Sequence, residues 1–225
     1  RVEKVSLAMG GGSNRTWLFD VLLEGTIPMV LRQETYTGPY TPFLPPEAQY
    51  HLLKVAFAAG VPVPETCFLL DPEDGLGGGF AMKKIEGETI PRKILREPLY
   101  REALPKMAAQ CGEILGRLHG IDLGEIVFLE KDQESIDTIA AQRQRLDNYR
   151  ESHPALELGL RWLEENRPQS GRRVLAHGDF RNGNFIVGPE GIRAVLDWEC
   201  SHLGRPMEDL GWLCVKSWRF GAVDK

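Results

Sequence analysis

Residues 175–199, LAHGDFRNGNFIVGPEGIRAVLDWE, limit this chain more than any other stretch, because they read as a β-hairpin with a polar loop ahead of it. FIVGPEGIRAVL sets two short apolar runs around Gly188, Pro189, Glu190 and Gly191, a strong turn signal. A hairpin returns its second strand beside its first, so Asp197 is carried back toward Asn184. The loop in front holds His177, Asp179 and Asn182. A plain polar hairpin with capping side chains accounts for Asn182 and Gly183. It leaves the joint spacing of His177, Asp179, Asn184 and Asp197 to coincidence.

The front of the chain reads as β structure. Val2, Val5 and Leu7 lead into a glycine-rich stretch, and TWLFDVLLEGTIPMVLRQE gives two apolar runs joined at Glu24, Gly25 and Thr26. After a proline-rich loop, EAQYHLLKVAFAAG places Leu52, Leu53, Ala56 and Phe57 at helical spacing, with Gly60 as its stop. A strand, a glycine-rich turn and another strand follow, ending in the connector MKKIEGE. Beyond Pro91 the pattern becomes helical. Leu104, Met107, Cys111, Ile114, Leu115 and Leu118 share one face, and helices are expected over 133–150, 155–166 and 206–218. We therefore expect two domains, a β-rich lobe over 1–86 and a helical lobe over 87–225, with a cleft between them.

Composition excludes several classes. With 42% hydrophobic residues and a net charge of −5, the chain is globular and has no general attraction for nucleic acid or an anionic membrane. No apolar run approaches the roughly 18–20 residues of a membrane span. Cys67, Cys111, Cys200 and Cys214 are too widely spaced for a disulfide framework or a zinc site, so a reducing, cytoplasmic setting is expected. The chain opens at Arg1 rather than Met, which reads as a fragment.

The loop at 10–14, GGGSN, is not a dinucleotide fingerprint, because a strand rather than a helix follows it. Gly11, Gly12, Ser13 and Asn14 could form a phosphate-cradling hairpin or a plain turn; both stay open. HGDFRNGN is more specific. Its histidine, Asp179 and Asn184 have the spacing of a kinase catalytic loop, H-x-D-x-x-x-x-N. A carboxylate there can orient and deprotonate an attacking hydroxyl. An amide oxygen one loop-width away can bind Mg²⁺ without adding negative charge beside phosphates, and Asp197 supplies a second hard oxygen.

These residues resemble the aminoglycoside phosphotransferase and choline kinase-like enzymes, and the wider chain resembles their acyl-CoA-dehydrogenase-associated branch. The likeness runs through GGGSNRTWLFDV, MVLRQE, GVPVPE, FAMKKIEGETI, LGRLHGIDL and GRPMEDLGWL in order. It implies an α+β, bilobal, protein-kinase-like fold with a β-rich N-lobe and a mainly helical C-lobe. It also implies that the C-lobe is incomplete, since family members continue past the position of Lys225 with helices that complete the acceptor pocket. It implies phosphoryl transfer from ATP or GTP to a small-molecule hydroxyl acceptor, with Asp179 as base and Asn184 and Asp197 as Mg²⁺ ligands. Arg32 would meet the nucleotide phosphates, and backbone groups near Lys83 and Ile85 the nucleobase. His177 and His119 are expected to be structural.

Two features stand apart from the family pattern. Arg32 occupies the place of the kinase strand lysine; a guanidinium can make that contact bidentately. The helix position expected to supply its partner carboxylate is Gln49, and Glu47 lies about 200° round the helix from it. Either Glu47 serves by a shifted register, or Arg32 is positioned without that ion pair. A catalytically weak, pseudokinase-like module is the alternative reading. A protein kinase fits less well, because DWE stands at the D-F-G place and no A-P-E follows.

Overall fold

The computed structural model describes residues 1–8, 14–35, 43–130, 138–167 and 171–220. Three strands open the chain, β1 (Val2–Leu7), β2 (Asn14–Leu22) and β3 (Thr26–Glu34). Their alternating, branched side chains suit a sheet with one covered face. β2 and β3 pair in unbroken register from Asn14 opposite Glu34 to Leu22 opposite Thr26, so the Glu24–Gly25 turn falls where the sequence places it. Helix α1 (Pro46–Ala58) follows, then β4 (Thr66–Leu69) and β5 (Gly79–Lys83). The five strands form one antiparallel sheet in the order β1-β2-β3-β5-β4. α1 buries Leu52, Leu53 and Ala56 against it, and Gly60, at φ +75°, stops the helix in the left-handed conformation.

The remainder is mainly helical: α2 (Pro91–Arg96), α3 (Leu104–Leu118), α4 (Thr138–Tyr149) and α5 (Pro154–Glu165). Three short strands, β6 (Val174–Ala176), β7 (Phe185–Gly188) and β8 (Gly191–Val195), precede β9 (His202–Gly204) and helix α6 (Pro206–Leu213). Proline begins α1, α2, α5 and α6, where its missing N–H costs nothing and its fixed φ favours the first turn. β7 and β8 form the expected hairpin, while β6 pairs with β9. One apolar core joins the two parts: Leu53 and Phe80 from the front, Ile114 and Leu118 from α3, Phe185 and Trp198 from the hairpin region. Among the described residues, no helix is long and apolar enough to cross a membrane.

Two helices differ from expectation. The first part of the 133–150 segment lies outside the described residues, and α4 begins at Thr138. The helix expected over 206–218 ends at Leu213; Val215 is extended, and Lys216–Arg219 form a separate 3-10 turn. The break lets Trp218 pack edge-on against Trp212, with ring centroids 5.2 Å apart. In one continuous helix, residues six apart would point roughly 240° from each other and could not touch.

The connector after β5 stays close to both parts. The Lys84 amide donates to Pro28 O at 3.0 Å, and by Glu88 the chain exchanges two 2.9 Å backbone hydrogen bonds with Val187 of β7. Gly87 makes this crossing possible. A Cβ there would press on the Val187 carbonyl and overlap Ile186. Gly87→Ala should therefore destabilise the protein by about 1–3 kcal/mol. Thermal denaturation should fall by roughly 2–4 °C per kcal/mol for a chain of this size. An unchanged midpoint would show that the connector yields freely at this point.

Candidate active site

The polar loop is built on a buried carboxylate. Asp209, on the inner face of α6 and fully buried, accepts the backbone N–H of His177 on Oδ2 and that of Gly178 on Oδ1, both at 2.9 Å. Its Oδ2 also meets His119 Nε2 at 2.9 Å. Burial alone would raise this carboxyl, but His119 and the two amides outweigh it and hold Asp209 below the usual carboxylate range. Gly178 sits at φ +79°, and a Cβ there would collide with the Cys200 carbonyl. Asp209 and Gly178 together set the path of the loop.

His177 has no exposed surface. Its Nδ1 accepts the Asp179 N–H at 3.2 Å, so the ring proton is on Nε2, which donates to Leu196 O at 3.1 Å. Burial keeps the imidazole below its ordinary pKa despite the pull of Asp209, Asp179 and Asp197. A neutral ring with both nitrogens committed is a brace between the loop and β8, not a proton carrier. His119, buried against Asp209, supports the loop from behind.

Asp179 is held on both oxygens. Oδ1 accepts Arg181 Nε at 2.9 Å and Trp212 Nε1 at 2.6 Å. Oδ2 accepts Asn184 Nδ2 at 2.7 Å, and the same amide nitrogen donates to the Asp179 carbonyl at 2.9 Å. Both partners of that amide nitrogen are oxygens, which determines the amide's orientation and leaves Asn184 Oδ1 as the acceptor outside these bonds. The Leu196 N–H donates to Asn184 O at 2.8 Å, so Asp197 follows directly on a residue tied to Asn184. Asp197 is left-handed at φ 69°, ψ 59°, a conformation that aspartate tolerates better than most residues. Trp198, 2% exposed and bonded through Nε1 to Val195 O at 3.0 Å, fastens the next residue.

Arg32 reaches this centre from β3. Both its Nη1 and Nη2 lie 3.0 Å from Asp197 Oδ1, and Nη2 lies 3.0 Å from Glu199 Oε2. Asn14 donates to that same Glu199 oxygen at 2.7 Å. Neither Glu47, which is exposed, nor Gln49, whose amide donates to Leu44 O at 2.6 Å, holds Arg32. A narrow cleft above Arg32 is lined by Phe80, Met82, Leu196 and Asp197. An open groove of ≈ 620 Å³ between α4 and α5, lined by Arg143, Glu157, Arg161 and Glu164, contains none of the motif residues.

The structure thus brings Asp179, Asn184, Asp197 and Arg32 to one centre and adds Asn14 at its rim. Gly11, Gly12 and Ser13 lie outside the described residues. Lys83 and Ile85 border the connector; the Lys83 N–H is already given to Glu65 O at 2.9 Å and its ammonium to Glu65 Oε2 at 2.6 Å. Sequence reasoning passed over Arg181, Glu199, Asp209 and Trp212. Only Asp209 carried a signal, as an acid four residues before Leu213 on the apolar side of a helix. Among the described residues there is no cluster of three or more His, Cys, Asp and Glu side chains fit for a metal. Asn184 and Asp197 instead offer one amide and one carboxylate oxygen, a small hard set of the kind Mg²⁺ takes alongside phosphates.

An antiparallel five-stranded sheet over a helical body, with this polar centre where they meet, is a protein-kinase-like architecture. Residues 4–225 match the phosphotransferase enzyme family, and the chain belongs to it. It is 33% identical over 183 residues to acyl-CoA dehydrogenase family member 10 of Mus musculus, a match covering 75% of this chain and 16% of that protein's length. A choline/ethanolamine kinase family protein from Mesorhizobium loti superposes with a TM-score of 0.63 at 19% identity, over 94% of this chain and 63% of that one. The GDP complex of an aminoglycoside 2'-phosphotransferase-IIIa gives 0.66 at 12% identity, over 94% and 72%. Likenesses at these identities establish the shared fold.

Asp209→Asn keeps the size of the side chain but sets an NH₂ group against one of its two backbone donors. Leaving a buried amide unpaired costs about 1–3 kcal/mol, so the variant should lose roughly that much in denaturant unfolding. Because the native carboxyl is depressed, its contribution is present above the ordinary carboxylate pKa of 3.8 and is lost as pH falls through the lower folded value. The variant should therefore be destabilised at neutral pH and converge on the parent in strong acid. A constant difference at all pH values would detach the effect from this carboxylate.

Proposed function

We propose that the chain is a small-molecule kinase that moves the γ-phosphoryl group of an Mg²⁺-bound nucleotide, ATP or GTP, onto a hydroxyl of a small-molecule acceptor. The observation that carries this reading is the commitment of the Asn184 amide nitrogen to Asp179, which leaves Asn184 Oδ1 outside both of those bonds, on a residue whose backbone carbonyl is tied to Leu196, next to Asp197. A polar turn would have no need to sort its oxygens in this way. The family membership and the nucleotide complex of a structural relative support the same class of reaction.

In this reading Asp179 receives the acceptor hydroxyl on Oδ2, since Arg181 and Trp212 already hold Oδ1. The acceptor O–H breaks as its oxygen bonds to the γ-phosphorus, the β–γ bridging P–O bond breaks, and the nucleoside diphosphate leaves with that electron pair. The proton passes to Asp179. Asn184 and Asp197 would hold Mg²⁺, which when bound supplies positive charge to the phosphate oxygens. Arg32 would bind phosphate once released from Asp197. Gly11, Gly12, Ser13 and Asn14 would cover the phosphates. The Lys83 carbonyl and the Ile85 amide would read the nucleobase edge, the Lys83 N–H being taken. We propose the lobe division at 1–86 and 87–225 on the same grounds, since from Glu88 onward the chain is bonded to β7.

Asp179→Asn should reduce acceptor phosphorylation by about 10²-fold or more while leaving nucleotide affinity close to the parent, because the carboxylate meets the acceptor and not the nucleotide. Product formation against a panel of hydroxylated metabolites, with nucleotide Kd measured in parallel, tests it. Parent-like turnover in the variant would remove Asp179 from this role. Nucleotide binding without turnover in the parent would favour the catalytically weak module, as the replacement of the helix carboxylate by Gln49 would allow.

Asp197→Asn keeps the left-handed backbone acceptable and the side-chain volume unchanged, but removes the charge. It should weaken nucleotide binding in the presence of Mg²⁺ more than in its absence, read as the difference in thermal shift. Equal shifts in variant and parent would set Asp197 aside as a metal ligand.

A further inference from the structure

Kinase-type sites need a carboxylate to hold the phosphate-binding cation in place, and α1 does not provide one here. Gln49 is neutral, 4% exposed and tied to Leu44 O, while Glu47 faces outward. Arg32 is nonetheless held, by two carboxylates from the segment after β8. These two are not equivalent. Asp197 has a 35% exposed side chain and, on the reading above, must turn to Mg²⁺. Glu199 is 8% exposed and anchored on every side: Asn14 donates to its Oε2 at 2.7 Å, and its backbone carbonyl accepts the Leu44 N–H at 2.8 Å.

We propose that Glu199 is the positioning residue for Arg32, replacing the helix carboxylate that Gln49 lacks. This rests on the kinase reading. When the Asp197 carboxylate is drawn to the metal, Arg32 loses one partner; the Glu199 pair keeps its Nη2 fixed and leaves Nη1 to face phosphate. A charge as buried as Glu199 is costly unless paired, so its place beneath Arg32 is a strong geometric commitment. Leu44 links the arrangement to α1, since its carbonyl takes the Gln49 amide and its N–H is given to Glu199. The helix therefore still bears on Arg32, but through the main chain of the preceding loop.

The test measures Kd for Mg²⁺-ATP and Mg²⁺-GTP, together with melting temperature, in the parent and a small set of variants. Glu199→Gln should weaken the preferred nucleotide by about tenfold or more, the scale of a charge-assisted hydrogen bond. Arg32→Ala should cost at least as much, and Arg32→Ala/Glu199→Gln no more than Arg32→Ala alone, because Glu199 acts through Arg32. Gln49 and Arg32 line the same cleft, so Gln49→Glu in the Glu199→Gln background should recover part of the affinity. A merely structural Glu199 would give none of that rescue. Glu199→Asp, which keeps the charge but shortens its reach, should give an intermediate loss and serves if Glu199→Gln does not fold. Losses that add in the double variant, or parent-like binding by a folded Glu199 variant while the parent binds nucleotide, would overturn the assignment and leave the kinase reading standing. Failure of the parent to bind either nucleotide would overturn both.

Discussion

The buried Asp209 carboxylate is the constraint on which the rest of the site depends. Two consecutive backbone amides, at His177 and Gly178, point to one side chain 31 residues further along the chain. Without it each of those largely buried amides would be an unpaired donor, at a cost of about 1–3 kcal/mol. The carboxylate thereby settles the loop's direction before any of its functional side chains is considered. His177 then fastens the loop to Leu196, and Trp198 closes the far side, its ring edge-on to His177 at 4.9 Å. Only after these three contacts do Asp179, Asn184 and Asp197 have defined positions. The network behind the chemistry is more buried than the chemistry itself, as a rigid support requires.

That order explains what could be read from the residues alone. The β7–β8 hairpin was legible because its register follows from a local turn, and its two ends carry Asn184 and Asp197. α3 was legible from its apolar spacing, and α1 from its spacing and from Gly60. Asp209 was visible only as an anomaly on an apolar helix face, because its partners are two amides that leave no mark in sequence. Trp212 and Trp218 fall within one expected helix over 206–218, since nothing in the sequence announces the bend at Val215. The loss of a helix carboxylate at Gln49 was legible, but its replacement was not. Glu199 reaches Arg32 across 167 positions, through a contact that no periodicity encodes.

Arg32 and Asp197 place closure of the site and its readiness in opposition. With Arg32 bridging β3 to the segment after β8, the sheet and the helical part are joined at the mouth of the cleft, and the metal-ligand candidate is neutralised. Two carboxylates this close would repel one another without a cation between them. The guanidinium serves that purpose here, and on the proposed function Mg²⁺ would take over part of it, so that different cations would keep the same charge balance. Phosphate would then meet an arginine already oriented, rather than one that must be ordered during binding, which lowers the entropy cost of association.

Asp179, the base on the proposed function, is arranged on the same principle. Asp179 has one oxygen occupied by Arg181 and Trp212, and the other shared with Asn184. Such a carboxylate cannot rotate without breaking several charge-assisted hydrogen bonds, so the direction from which a hydroxyl can approach is set by the protein. Arg181 is in turn held over the Trp218 ring, 4.3 Å from its centroid, and Trp218 rests on Trp212. The bend that ends α6 at Leu213 is what brings these two indoles together. The bend at Val215 therefore reaches Asp179 through one cation–π contact and one hydrogen bond. Asp179 owes its orientation to the end of α6, and Arg32 is held by Glu199; Asn184, bonded to Asp179 and to Leu196, is where the two supports meet.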